Sequence, residues 1–109
     1  MRKIINGTRY DTDKAIEIGY FDNVGAGASS RSDFQFWEAA LYKTPKSGRY
    51  FLAGFGGPMT QFSRTIDQNS WTGGSKIIPL SHDEAFEWAQ RYLDTDTVEE
   101  FSNDMVEDA

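Results

Sequence analysis

Ser81-His82-Asp83 sets the three residue types of a hydrolase triad side by side, and His82 is the only histidine in the chain. A working triad is assembled in space from distant positions, however, and consecutive residues at a helix start point in different directions. With Glu84 the stretch instead spells a capping box, Ser81 taking the Glu84 N–H while the Glu84 carboxylate reaches back to the Ser81 N–H. Residues 50–62, YFLAGFGGPMTQF, pose a second chemical question, because glycines between a strand and a helix often cradle phosphate. A P-loop needs Lys and Ser/Thr directly after its last glycine, and here Pro58 and Met59 follow; a dinucleotide fingerprint needs G-x-G-x-x-G, and only Gly54 and Gly56 stand in register. Gly25-Ala26-Gly27 fails for the same reason. A single histidine and no cysteine exclude His-rich and Cys-based metal centres, iron–sulfur clusters and thiol nucleophiles. Asp33, Glu38 and Asp67 offer carboxylates for acid–base work, but nothing in their spacing selects a pair. The expectation is a protein that is not an enzyme and holds no cofactor or metal.

Charge is the more informative chemistry. Residues 1–76 carry ten bases against seven acids, whereas residues 77–109 carry one base, Arg91, against ten acids. Asp94, Asp96, Glu99, Glu100, Asp104, Glu107 and Asp108 form an acidic C-terminal segment, residues 94–109, with no base among them. Such a run serves either as a solubilising tail or as an anionic surface that imitates nucleic-acid phosphates and fills a basic channel on a partner. Val98, Phe101 and Met105 recur at helical spacing, so they would dock the segment and hold its charges in a fixed geometry. Trp71 and Tyr50 are the candidate aromatic anchors of such an interface. Gripping nucleic acid through this acidic third is disfavoured, since duplex affinity rests on Lys and Arg; direct binding would need Arg2, Lys3, Arg9, Lys43, Lys46 and Arg49 to cluster.

These residues must be positioned by one domain, residues 1–109, because 109 residues leave no room for a second core. Asn6-Gly7 predicts a tight turn in a short hairpin. Asp11 or Thr12 caps a predicted helix over residues 13–19, closed by Gly19. Residues 22–33 read as a loop. Two aromatic runs around Pro45-Lys46-Ser47-Gly48 predict a β-hairpin over residues 34–57, with Trp37, Ala39 and Leu41 on one face and Glu38, Ala40 and Tyr42 on the other. Pro58 predicts a second helix start, with Met59, Phe62 and Ile66 at helical spacing. A loop over 67–75 precedes a strand over 76–80 whose Pro79 implies a sheet edge. The capping box opens a helix over residues 81–94, and Thr97 to Glu100 repeats the pattern before a last helix. The fold class is therefore α+β, a small, mainly antiparallel sheet centred on the 34–57 hairpin with helices packed on one face.

An apolar fraction of 39% with eight Phe, five Tyr and three Trp predicts a packed globular domain. No apolar run is long enough for a membrane span, and residues 1–7 lack the core of a signal peptide, so the expected compartment is the cytoplasm. Three motifs, IINGTRYDTDKA, LYKTPKSGRYFLAGFGGPMTQF and KIIPLSHDEAFEWAQRYL, together cover most of the chain. They resemble a family of short, mostly uncharacterised proteins carried on prophages, plasmids and integrative elements of Gram-positive bacteria. Small acidic proteins from that setting include anti-CRISPR and anti-restriction proteins. The resemblance thus implies a non-enzymatic inhibitor that binds a CRISPR effector or restriction enzyme; no catalytic residue carries over. The alternative is a regulatory or accessory module, such as an antitoxin or a subunit of an element-encoded complex.

Overall fold

The computed structural model describes residues 1–67 and 70–105, of which 64–67, 70–72 and 102–105 are described by backbone alone. Strands β1 (Arg2–Ile5) and β2 (Thr8–Asp11) form a hairpin closed by Asn6 and Gly7, both at positive φ (51° and 79°), the two-residue turn that Asn-Gly favours. Four antiparallel strands build the main sheet in the order β3-β4-β5-β8: β3 (Ile16–Asp22), β4 (Trp37–Lys43), β5 (Tyr50–Gly56) and β8 (Gly74–Leu80). β6 (Arg64–Asp67) and β7 (Ser70–Thr72) pair separately, and α1 (His82–Tyr92) and α2 (Thr95–Met105) complete the chain. This is the expected α+β architecture, with the 34–57 hairpin at its centre as β4 and β5. Pro79 lies on β8, an edge strand, where its missing N–H costs no ladder bond.

The helices pack on one face. Trp37, Ala39 and Leu41 alternate inward from β4, Tyr50 and Leu52 from β5, and they meet Ala85 and Ala89 of α1 and Phe101 of α2. Two alanines on the buried stripe of α1 let that helix approach the sheet closely. The other face is covered at one end by the β1–β2 hairpin, whose Tyr10 packs edge-on against Phe51 at 5.3 Å beside Ile77. Each large side chain so buried contributes about 1.5–3 kcal/mol of transfer free energy.

Two predicted helices are not helices. Residues 16–22 form β3: Asp11 does cap a turn, accepting the Asp13 N–H on its carboxylate (3.0 Å) and the Lys14 and Ala15 N–H groups on its carbonyl, but the turn ends there. Gly19 serves not as a helix stop but as the seat of Leu93, whose methyls would lie 2.7 Å from any Cβ placed there. After Pro58 the chain makes turns and then β6, because the Thr60 hydroxyl donates to the Gly57 carbonyl (2.9 Å) and accepts the Phe62 N–H (3.2 Å), a local pattern that competes with helix. Met59 is 66% exposed while Phe62 is fully buried, so the two do not share one buried stripe. The loop expected over 67–75 contains β7 and the start of β8.

Candidate interaction surface

The acidic segment is held by its apolar side. Phe101 is buried, stacked on Phe86 at 6.1 Å and edge-on to Tyr50 at 5.2 Å, with Val98 half-buried against the same core. At about 100° per residue, Asp96, Glu99 and Glu100 then fall on the opposite side of α2, and all three are exposed. Asp94 is the helix cap: its carboxylate accepts the Thr97 N–H at 2.7 Å and its carbonyl the Val98 N–H at 3.0 Å, so the cap lies three residues before Thr97, where the sequence pattern put it. That backbone hydrogen bond holds the Asp94 carboxyl below the usual range. On α1 the capping box is present in full, and the hydrogen bond from the Ser81 N–H likewise lowers Glu84. Residues 82–105 thus carry eight acids and one arginine on two helices locked to one core.

The aromatic anchors are placed differently. Tyr50 is only 1% exposed: as a member of the helix-facing row of β5 it lies beneath His82 and Phe101, and it is a core residue rather than an interface anchor. Trp71 stands in β7 opposite Thr65 and Asp104 belongs to α2; their side chains, and the whole of Glu107 and Asp108, lie outside the described residues.

What the sequence pattern missed is a groove of about 660 Å³ at the end of the sheet, where the 22–36 loop, the 57–61 turn and the end of α1 meet. Phe21, Trp37 and Tyr92 form its floor, their ring centroids 4.9–5.4 Å apart, and the Arg91 guanidinium lies 5.4 Å from the Tyr92 centroid. Beside it Met59 and Phe34 are each 66% exposed, joined by a Met59 N–H to Phe34 carbonyl bond of 3.1 Å. The loop is fixed by buried Asn23, which donates to the Gln35 carbonyl and accepts the Trp37 N–H, each at 2.8 Å. Met, Phe and Arg at a rim over an aromatic floor are residue types typical of protein interfaces. The sign in the sequence was Met59 directly after Gly-Gly-Pro, where a turn leaves the side chain outside.

His82, Glu38 and Asp33 have structural roles, while the side chain of Asp67 lies outside the described residues. His82 opens α1 with its ring edge-on to Tyr50 at 5.0 Å. Glu38 pairs with Arg31 at 3.1 Å and accepts the Tyr20 hydroxyl at 2.5 Å; partial loss of water and this bond push the Tyr20 phenol up to about 12. Asp33 staples its own loop, accepting N–H groups from Ser29 and Gln35 that lower its pKa. Among the described residues no group of three or more acidic or histidine side chains converges as a metal site, and no helix is long and apolar enough to cross a membrane. Searches of protein-family models, curated proteins and solved structures found no match for the chain.

Proposed function

We propose that the protein is a non-enzymatic inhibitor carried by a mobile genetic element, acting in the cytoplasm by occupying a basic, nucleic-acid-binding surface of a host defence nuclease complex. The observation that carries the reading is the fixed acidic layer: Asp96, Glu99 and Glu100 project from a helix whose other side is pinned by Phe101, so the charges are displayed rigidly instead of trailing as a tail. Preorganised charge of one sign steers association with a surface of the other sign and avoids the ordering cost a disordered tail would meet. The resemblance of the three sequence motifs to mobile-element proteins supplies the setting, with an anti-CRISPR or anti-restriction role as the specific form.

The test is titration of the protein into cleavage reactions of purified CRISPR effectors and restriction enzymes. Inhibition is expected to weaken with salt, and Asp96→Asn/Glu99→Gln/Glu100→Gln should slow association about tenfold or more at low ionic strength. Unaltered cleavage at saturating protein removes that enzyme as the target. The exposed Met59 and Phe34 favour a second reading, an accessory or antitoxin module with a constitutive partner. Obligate co-purification with an element-encoded protein, insensitive to salt, would select it.

A further inference from the structure

We infer that the β1–β2 hairpin and the 44–48 turn form a second binding face, of opposite sign, for the phosphodiester backbone of nucleic acid. Arg9, Lys14 and Lys46 surround a recess of about 360 Å³ floored by Ala15 and Pro45, and Arg9 also borders an adjoining recess of about 370 Å³ with Arg2 and Lys3. All five cations are exposed. Among the described residues none of them makes an ion pair within 4.0 Å or a side-chain hydrogen bond, although acids outnumber bases seventeen to eleven in the chain. The sequence order explains the segregation, since eight acids are committed to the helices across the sheet. Lys43 does not join the cluster; it lies over Tyr50 and borders the α2 side of the turn.

A row of unpaired cations along a two-stranded ribbon suits a linear polyanion. The ribbon spans roughly 13 Å and the turn extends it, enough for about three or four phosphates. Its outward residues, Arg2, Ile4, Arg9 and Asp11, present two guanidinium groups, and contacts made to phosphates rather than to base edges carry no sequence information. The acids that oppose binding are Asp11, which lines the recess, and Asp13 beside it; Glu17 and Glu100 stand on the far side of Thr44 and Pro45. At 0.1 M salt the screening length of about 10 Å weakens the influence of the more distant helical charges. A protein so built touches nucleic acid with a face other than its acidic one, independently of the function proposed above.

The experiment is fluorescence anisotropy of the full chain with a fluorescein-labelled 24-base-pair duplex of arbitrary sequence, from 20 to 200 mM salt. Micromolar binding at 20 mM is expected, weakening with a log–log salt slope of about −3. Arg9→Gln/Lys14→Gln/Lys46→Gln should lose about tenfold or more in affinity and most of the slope with an unchanged melting temperature, because among the described residues these side chains make no ion pair or hydrogen bond. Asp11→Asn, which keeps an acceptor for the Asp13 N–H, should bind severalfold more tightly. No binding at 100 µM protein and 20 mM salt, a triple variant that binds like the wild type, an Asp11→Asn variant no tighter than wild type, or retention on heparin without duplex binding would each overturn the assignment.

Discussion

Replacing Gly54 by alanine tests what the glycine cluster is for. A Cβ at Gly54 would overlap the ring of Phe62, coming within 2.5 Å of Cε1, and would stand 2.7 Å from the Glu38 carbonyl oxygen of the neighbouring strand. Phe62 is fully buried, and the Glu38 oxygen is held in the β4–β5 ladder. Overpacking of a core costs typically 1–3 kcal/mol. Two rigid obstacles put Gly54→Ala at the upper end, about 3 kcal/mol, which for a domain of this size lowers the melting temperature by about 12 °C. Phe62→Leu removes the two ring atoms that obstruct the methyl but leaves the Glu38 oxygen in place. The double variant should therefore be less destabilised than the sum of its parts by at least about 1 kcal/mol, without returning to the level of Phe62→Leu alone. Urea unfolding of the four proteins of this cycle measures each term. A phosphate-cradling glycine would tolerate the methyl in the free protein, so a Gly54→Ala variant within about 0.5 kcal/mol of wild type, or strict additivity with Phe62→Leu, refutes the packing argument.

Asn23→Ala strips partners from the Gln35 carbonyl and the buried Trp37 N–H together, and should cost about 2 kcal/mol or more while accelerating hydrogen exchange at the Trp37 amide; an unchanged exchange rate there would mean that the loop holds without it. Acid should destabilise the fold through Glu84, Asp94 and Asp33, whose carboxyls the folded state holds below their ordinary values of 4.5, 3.8 and 3.8. Depressed folded values mean that this stability is complete above those ordinary values and is lost as pH falls through the lower folded ones. The unfolding midpoint should therefore drop below about pH 4, and Glu84→Gln/Asp94→Asn/Asp33→Asn should flatten that limb; a limb of undiminished steepness in the triple variant would assign it to other groups.

The parts of this fold legible in the sequence are those in which local chemistry and tertiary packing ask for the same thing. Asn6-Gly7, the Ser81–Glu84 box and the alternation of Trp37, Ala39 and Leu41 each specify a geometry within a few residues, and the core accepts that geometry unchanged. The failures share a cause. Asp11 and Gly19 bracket residues 13–19 as a helix would, but β3 is needed to pair with β4, and Gly19 is required for the approach of Leu93 from 74 residues downstream, which no local rule can see. Pro58 and the glycines before it mislead in the same way: Gly54, Gly56 and Gly57 are read as a turn into a helix, whereas each clears space for a later or distant group, the Phe62 ring, the Thr60 side chain and the Phe34 carbonyl. The surface follows the same division. The acidic helices could be read because like charges adjacent in sequence stay adjacent on a helix, while Tyr50 could not, because strand residues alternate sides and only the helices above decide which side is inside. The cationic recess needed Arg9, Lys14 and Lys46 to be brought together from a hairpin and a turn about thirty residues apart. The surface recesses of this protein are therefore made by elements brought together across the sheet, and substitutions that shift the register of β3 or the seating of Phe62 should disturb the groove before they unfold the chain.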